Sequence, residues 1–203
     1  MSNDNDRVNI FNSDGSKREV GELVREVHHQ LGYHCSETLM RVLWPYLLPE
    51  EELTDAMLRM TMVLHGGIAD SMGSHCGALT VPILLIGAKY GRENMTGDDR
   101  YAPSLARGFW QRFLDEFGTS NCTALKQDQP PTGEAPTICG CIMVRSARLL
   151  LEYIDEIEKN PPHKEELYAF RLDRSKEPCH EKIKSMKSST EVRAEQKKKI
   201  EEK

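Results

Sequence analysis

The residues in this sequence best suited to chemistry are its six cysteines, at positions 35, 76, 122, 139, 141 and 179. Three of them stand where a helix is expected to begin: Cys35 after Gly32, Cys76 after Gly73 and Cys141 after Gly140. Cys122 follows closely on an expected helix end at Phe117-Gly118. A thiol at a helix N-terminus faces unpaired backbone N–H groups and the positive end of the helix dipole, and both favour thiolate over thiol. Thiolates bind iron or zinc and attack disulfides. Cys35, Cys76, Cys122 and Cys141 are therefore the candidate set for one metal or redox site. Against this stands the ordinary role of free cysteine as a small buried hydrophobe.

Spacing narrows the chemistry. Gly-Tyr-His-Cys at 32–35 and Gly-Ser-His-Cys at 73–76 share the pattern G-x-H-C, so His34 and His75 are candidate proton acceptors or hydrogen-bond donors beside their thiols. Adjacent helical positions diverge by about 100°, which allows each histidine to face away from its cysteine. No C-x2-C pair occurs, so the usual zinc-finger and ferredoxin spacings are excluded. The one close pair is Cys139-Gly140-Cys141, and Cys139 is the alternative fourth ligand. Cys179-His180 lacks the upstream cysteine of a haem attachment site. Neither a P-loop, a dinucleotide glycine pattern nor a Ser/His/Asp set supports hydrolase or nucleotide chemistry.

Ligands spread over a hundred residues need a tertiary fold to gather them, and the periodicity predicts a helical one. Val20, Val24, Val27 and Leu31 mark a first helix stopped by Gly32. A second runs from about Cys35 towards Pro49, and a third from Glu50 to Leu64, with Leu53, Met57, Met60 and Leu64 facing a core. His65-Gly66-Gly67 opens a turn. The stretch from Cys76 to Tyr90 is apolar almost all round, as a buried central helix would be, although Pro82 implies either a late start near Thr80 or a bend. A fifth helix is expected from Pro103 to Phe117 and a last one from Cys141 to Glu158, joined by a loop over 119–137. No strand-like alternation of useful length appears. The expectation is an all-α fold: a single compact domain of about six helices over 18–160, with a disordered polar leader over 1–17 and a charged, partly helical or disordered tail over 161–203.

Composition sets the partners. The chain of 203 residues carries a formal charge of −5, divided into a body of −8 and a tail near +3, so nothing attracts it as a whole to nucleic acid. Its longest apolar run, Val81 to Ala88, is far short of a membrane span. Residues 1–18 lack the apolar centre of a secretory signal, so a cytoplasmic, reducing compartment is expected, where thiols serve metals or chemistry more often than structural disulfides. The many apolar helix faces suggest a homodimer.

The cysteines and their surroundings together resemble the C_GCAxxG_C_C family of redox-active proteins. The resemblance spans about residues 20–158. It rests on Gly-Tyr before the first His-Cys, a Gly-Gly turn ahead of Cys76-Gly77-Ala78, Gly-Ala-Lys-Tyr-Gly after it, Asn121-Cys122 behind Phe117-Gly118, and Cys141 with Val144-Arg145. It maps the four motif cysteines onto Cys35, Cys76, Cys122 and Cys141. Related domains occur in split-Soret cytochromes with an iron–sulfur cluster, so the resemblance implies an iron–sulfur or thiol redox site, with 2Fe–2S preferred to 4Fe–4S. The expected function is then electron transfer or redox sensing with another redox protein as partner, an electron carrier more than a substrate-converting enzyme. Two alternatives remain open: cofactor-free dithiol–disulfide chemistry, with Cys139 and Cys141 or another pair, and a zinc-stabilised helical interaction module.

Overall fold

The structure, a computed structural model, describes residues 8–163 together with 167, 195, 198, 199 and 202. Its ordered body is all-α. Seven α-helices follow in chain order among the described residues: α1 (Val20–Arg25), α2 (Cys35–Leu47), α3 (Asp55–Met62), α4 (Gly77–Tyr90), α5 (Tyr101–Phe117), α6 (Cys122–Asp128) and α7 (Ile138–Lys159). α4 packs against α2, α5 and α7, and α1 lies along α7. No helix among the described residues is long and apolar enough to cross a membrane.

Side-chain size and spacing explain the core. Leu105, Phe109, Phe113 and Phe117 recur at four-residue steps on one face of α5 and are all buried. Removing either Phe109 or Phe113, both fully enclosed, would cost about 3–5 kcal/mol by loss of apolar burial and the cavity left behind. Tyr153 of α7 closes the same region, its hydroxyl donating to the Leu105 carbonyl at 2.8 Å.

Pro82 lies inside α4, which starts at Gly77 and not near Thr80. A proline at this position leaves the carbonyl four residues earlier, that of Ala78, without its helical N–H partner. The Ser146 hydroxyl of α7, fully buried, donates to that carbonyl at 2.5 Å and restores the lost bond. The proline thus ties α4 to α7. Only part of the circumference of α4 is enclosed, for Leu84 is 46% exposed.

Several sequence expectations are revised. The first helix changes to a π turn over Glu26–Gln30. α3 begins only at Asp55, where the Thr54 hydroxyl accepts the Met57 N–H, and Met60, expected in the core, is 65% exposed. The loop expected over 119–137 contains α6, capped by Asn121. α7 begins at Ile138, three residues ahead of expectation, because Thr137 caps it by accepting the Gly140 N–H at 3.0 Å. Within the expected leader, residues 8–17 are folded. Phe11 and Lys17 pair across a tight turn, and Ile10 is buried in the core. Most of the expected tail, Cys179 included, lies outside the described residues.

Candidate functional site

Four helix starts meet at one cavity. Cys35 is the first residue of α2, Cys76 caps α4, Cys122 is the first residue of α6, and Cys139 is the second of α7. All four line a cavity of about 230 Å³, whose wall also includes His28, His34, His65, Asp70 and Lys126, with Ile142 and Met143 on its apolar side. All five cysteines among the described residues are free thiols.

Two of these helix starts are bound to each other by backbone. His75 and Asn121 form an isolated antiparallel bridge, in which the Cys76 N–H donates to the Ser120 carbonyl and the Cys122 N–H to the Ser74 carbonyl, each at 2.9 Å. The Asn121 side chain caps α6 through the Ala124 N–H at 3.0 Å and donates to the Gly73 carbonyl at 2.9 Å. Residues 46 positions apart in sequence are thereby held in fixed register. Their thiols line the same cavity and influence each other's ionisation.

Cys35 arrives from the other side, against Gly77. A Cβ built on Gly77 would stand 2.8 Å from the Cys35 sulfur and 3.2 Å from the Leu64 carbonyl oxygen. The glycine after Cys76 is thus the space that a second cysteine occupies. Gly66, in the turn after α3, completes the wall beside His65. The His34 and His65 rings stack at 4.3 Å on the same wall. His75, the other histidine of the G-x-H-C echo, does not line the cavity; it bonds the Ser120 hydroxyl at 2.9 Å and meets Trp110 edge-on.

The thiols differ in how readily they ionise. The neighbouring Cys76 thiol pulls Cys122 down to about 6, helped by Lys126 against the opposing effect of burial. Its pairing with Cys122, together with burial, pushes Cys76 well up. Burial raises Cys35, and charge on Cys139 and Cys122 adds to the rise. Burial raises Cys139 too, against the pull of Lys126. Cys122 alone is thus prepared as a thiolate, and charging the others side by side in this pocket is costly without a compensating positive group.

Cys141 sits elsewhere. Two residues along an α-helix turn the side chain through about 200°, so Cys139 and Cys141 point to nearly opposite sides of α7. The Cys141 thiol donates to the Ala135 carbonyl at 3.4 Å. Burial opposes its ionisation, but hydrogen bonds from the Thr132 side chain and from the backbone of residues 132, 134 and 135 outweigh it and lower its pKa. Gly140 between the two allows close packing, since a Cβ there would meet the Ala135 methyl at 2.6 Å and His29 Nε2 at 2.8 Å. Of the residues singled out from sequence, the cavity gathers Cys35, Cys76, Cys122, Cys139 and His34. Cys141 and His75 face other surroundings. Gly66 and Gly77 were missed as site residues; their signal was glycine beside histidine and cysteine, readable as close approach only once the partner is known.

The family model described as "Putative redox-active protein (C_GCAxxG_C_C)" matches residues 33–153, which contain all five of these cysteines. No curated protein and no solved structure matches the chain.

Proposed function

The chain belongs to the C_GCAxxG_C_C family, and from that premise we propose that it is a redox protein holding one iron–sulfur cluster on Cys35, Cys76, Cys122 and Cys139. The observation that carries this reading is the convergence of those four thiols on a single cavity of about 230 Å³. That volume exceeds the roughly 150 Å³ cavity that accepts a benzene molecule. Among the described residues no three His, Cys, Asp or Glu side chains lie close enough together to hold one metal ion.

Electrostatics support the same reading. The starts of α2, α4 and α7 carry three of the four thiols, and burial raises all three, so a thiolate set there needs a positive group beside it. Iron supplies the positive charge that four neighbouring thiolates need, and when bound the cluster gives the site a one-electron couple. The protein's part is to hold the sulfurs and keep water from one side with Ile142 and Met143. The reading places the protein in the cytoplasm as an electron carrier or redox sensor serving another redox protein. Of the two cluster types that take four thiolates, 2Fe–2S is the one we expect.

The test is anaerobic purification and reconstitution, with the visible spectrum and counts of iron and acid-labile sulfide. Two irons and two sulfides per chain are expected. A colourless, iron-free protein after reconstitution would falsify the cluster reading. One observation favours a second reading, dithiol–disulfide chemistry without a cofactor: the backbone bridge that holds Cys76 and Cys122 in register on the same cavity. The pair expected from spacing, Cys139 with Cys141, is turned apart on α7. If the protein is iron-free and mild oxidation yields a Cys76–Cys122 disulfide by mass spectrometry, this second reading takes its place.

A further inference from the structure

α3 carries apolar side chains on two sides and uses only one of them. Leu53, Met57 and Leu58 pack partly buried against the core, and Thr61 is buried, its hydroxyl donating to the Leu58 carbonyl at 2.8 Å. The other side presents Ala56, Met60 and Val63 to solvent, spaced four and three apart like the stripe of a packed helix. Met60 is 65%, Val63 60%, Met62 53% and Ile68 43% exposed. Among the described residues these are four of the eight large hydrophobic side chains that stand exposed, and all four fall within residues 60–68. One exposed apolar side chain is ordinary, whereas four gathered together mark a contact surface. α3 leans chiefly on α2, which leaves this side open.

The order of charges along the same side says what fits there. Asp55 and Arg59 are both exposed, one turn apart, with the acid nearer the helix N-terminus, and neither has an ion pair among the described residues. Acid ahead of base along a helix is complementary to the same helix laid antiparallel: the Asp55 end of each then approaches the Arg59 half of the other. A two-fold axis across α3 produces that arrangement from two copies of one chain, with the small Ala56 leaving room for the apolar side chains that cross it.

We propose that the outer side of α3, centred on Met60 and Val63, binds a second copy of this chain about a two-fold axis. The inference stands apart from the cluster reading, because it uses no property of the thiols. It bears on the cavity all the same. Val63 and Ile68 flank the segment that puts His65 and Gly66 into the cavity wall, so pairing removes water from that side of each site. Antiparallel α3 helices place the two cavities at opposite ends of the contact.

The experiment is sedimentation equilibrium of the full chain over a dilution series, anaerobic and with reductant, both iron-free and reconstituted. The mass of two chains is expected. Met60→Glu and Val63→Glu change side chains that are exposed in the single chain, so each should give a monomer with unchanged helical circular dichroism. Arg59→Asp should weaken pairing about tenfold by setting acid against acid in both halves of the contact. Asp55→Arg together with Arg59→Asp should restore it, since the reversed order is again self-complementary. A wild-type chain that stays a monomer up to about 1 mM, the weak end of measurable association, overturns the proposal, as does a dimer that Met60→Glu and Val63→Glu leave intact. Hydroxyl-radical labelling reads the same face without a variant: Met60 and Met62 should be protected when the wild-type chain is concentrated and reactive when it is dilute. Protection of both in the monomer means that the chain's own residues cover the patch, and a monomer that co-sediments with phosphatidylcholine–phosphatidylglycerol vesicles means that a membrane does; either result overturns the proposal. Failure to take up iron leaves this measurement untouched and bears on the cluster reading alone.

Discussion

Cys139 and Cys141 share the first turn of one helix, yet they belong to two different environments. Cys139 enters a cavity walled by three other thiols, Gly66 and Lys126. Cys141 lies under the 132–135 loop, where the groups bonded to it are Thr132 and backbone. The loop environment is the kinder of the two to a thiolate: hydrogen bonds lower Cys141, whereas burial raises Cys139. A stabilised thiolate is therefore not what distinguishes a cluster ligand. Under the proposed cluster reading, convergence of several sulfurs is, and it comes with mutual repulsion that a bound metal group would relieve.

The largest effect expected from this contrast is on iron content. Cys139→Ser should abolish cluster binding, as should the same change at 35, 76 or 122, while Cys141→Ser should keep wild-type iron and sulfide. The reverse result would move the fourth ligand to the loop and break the comparison. Next in size is Gly77→Ala. Filling the helix-start glycine gains about 0.4–1 kcal/mol from the unfolded state, but the new Cβ would press on the Cys35 sulfur and on the Leu64 carbonyl. The clash should win, with a net loss of about 1–3 kcal/mol in chemical denaturation and weaker iron retention.

Smaller effects test what the two environments share. Thr137 caps α7 ahead of both cysteines, so Thr137→Ala should cost about 1 kcal/mol in thermal or denaturant unfolding while the iron count stays the same. An iron-free Thr137→Ala protein would mean that the cap sets the cavity sulfur as well as the helix. The smallest effect concerns the ties of the loop. Arg148 joins Glu19 at 2.9 Å and also binds Glu134, on the loop over Cys141. Burial works against ionisation of Glu19, but Arg148 and the N–H groups of Gly21 and Glu22 hold its pKa below the usual 4.5. A lowered folded-state pKa stabilises the fold above the unfolded value and ceases to do so as pH falls through the folded one. Wild type should exceed Glu19→Gln by a few tenths of a kcal/mol at pH 7, given the exposure of the pair. The gap should narrow as pH falls below 4.5 and close once Glu19 is protonated in the folded protein as well; a gap that persists through that protonation means the glutamate acts by packing and not by charge.

Fold class was legible because the apolar spacing of α2, α5 and α7 is carried by side chains that face the core, and Gly118 stops α5 as read, with φ +74°. What escaped depends on partners distant in sequence. The methionines around α3 have the period of a buried face, yet no element covers Met60 among the described residues. Pro82 argued for a late helix start because Ser146, its compensating donor, is 64 residues away. In the site, helix starts identified Cys35 and Cys76, whose caps follow local glycine and histidine. The choice between Cys139 and Cys141 turned on where α7 begins, a matter of one threonine hydroxyl. Motif register favours Cys141; the orientation of the helix brings Cys139 to the other thiols.

The edge-on contact of Trp110 with the His75 ring, at 4.7 Å between centroids, also gives the protein an optical gauge. His75 adjoins Cys76 in the bridged segment, so an indole sits one residue removed from the sulfur cavity. The other tryptophan, Trp44, is occupied with the Glu51 carbonyl at 2.9 Å and does not line the cavity. An absorbing group in the cavity would quench Trp110 by energy transfer, so loading and loss of the cavity can be followed by intrinsic emission, in real time and without an added label.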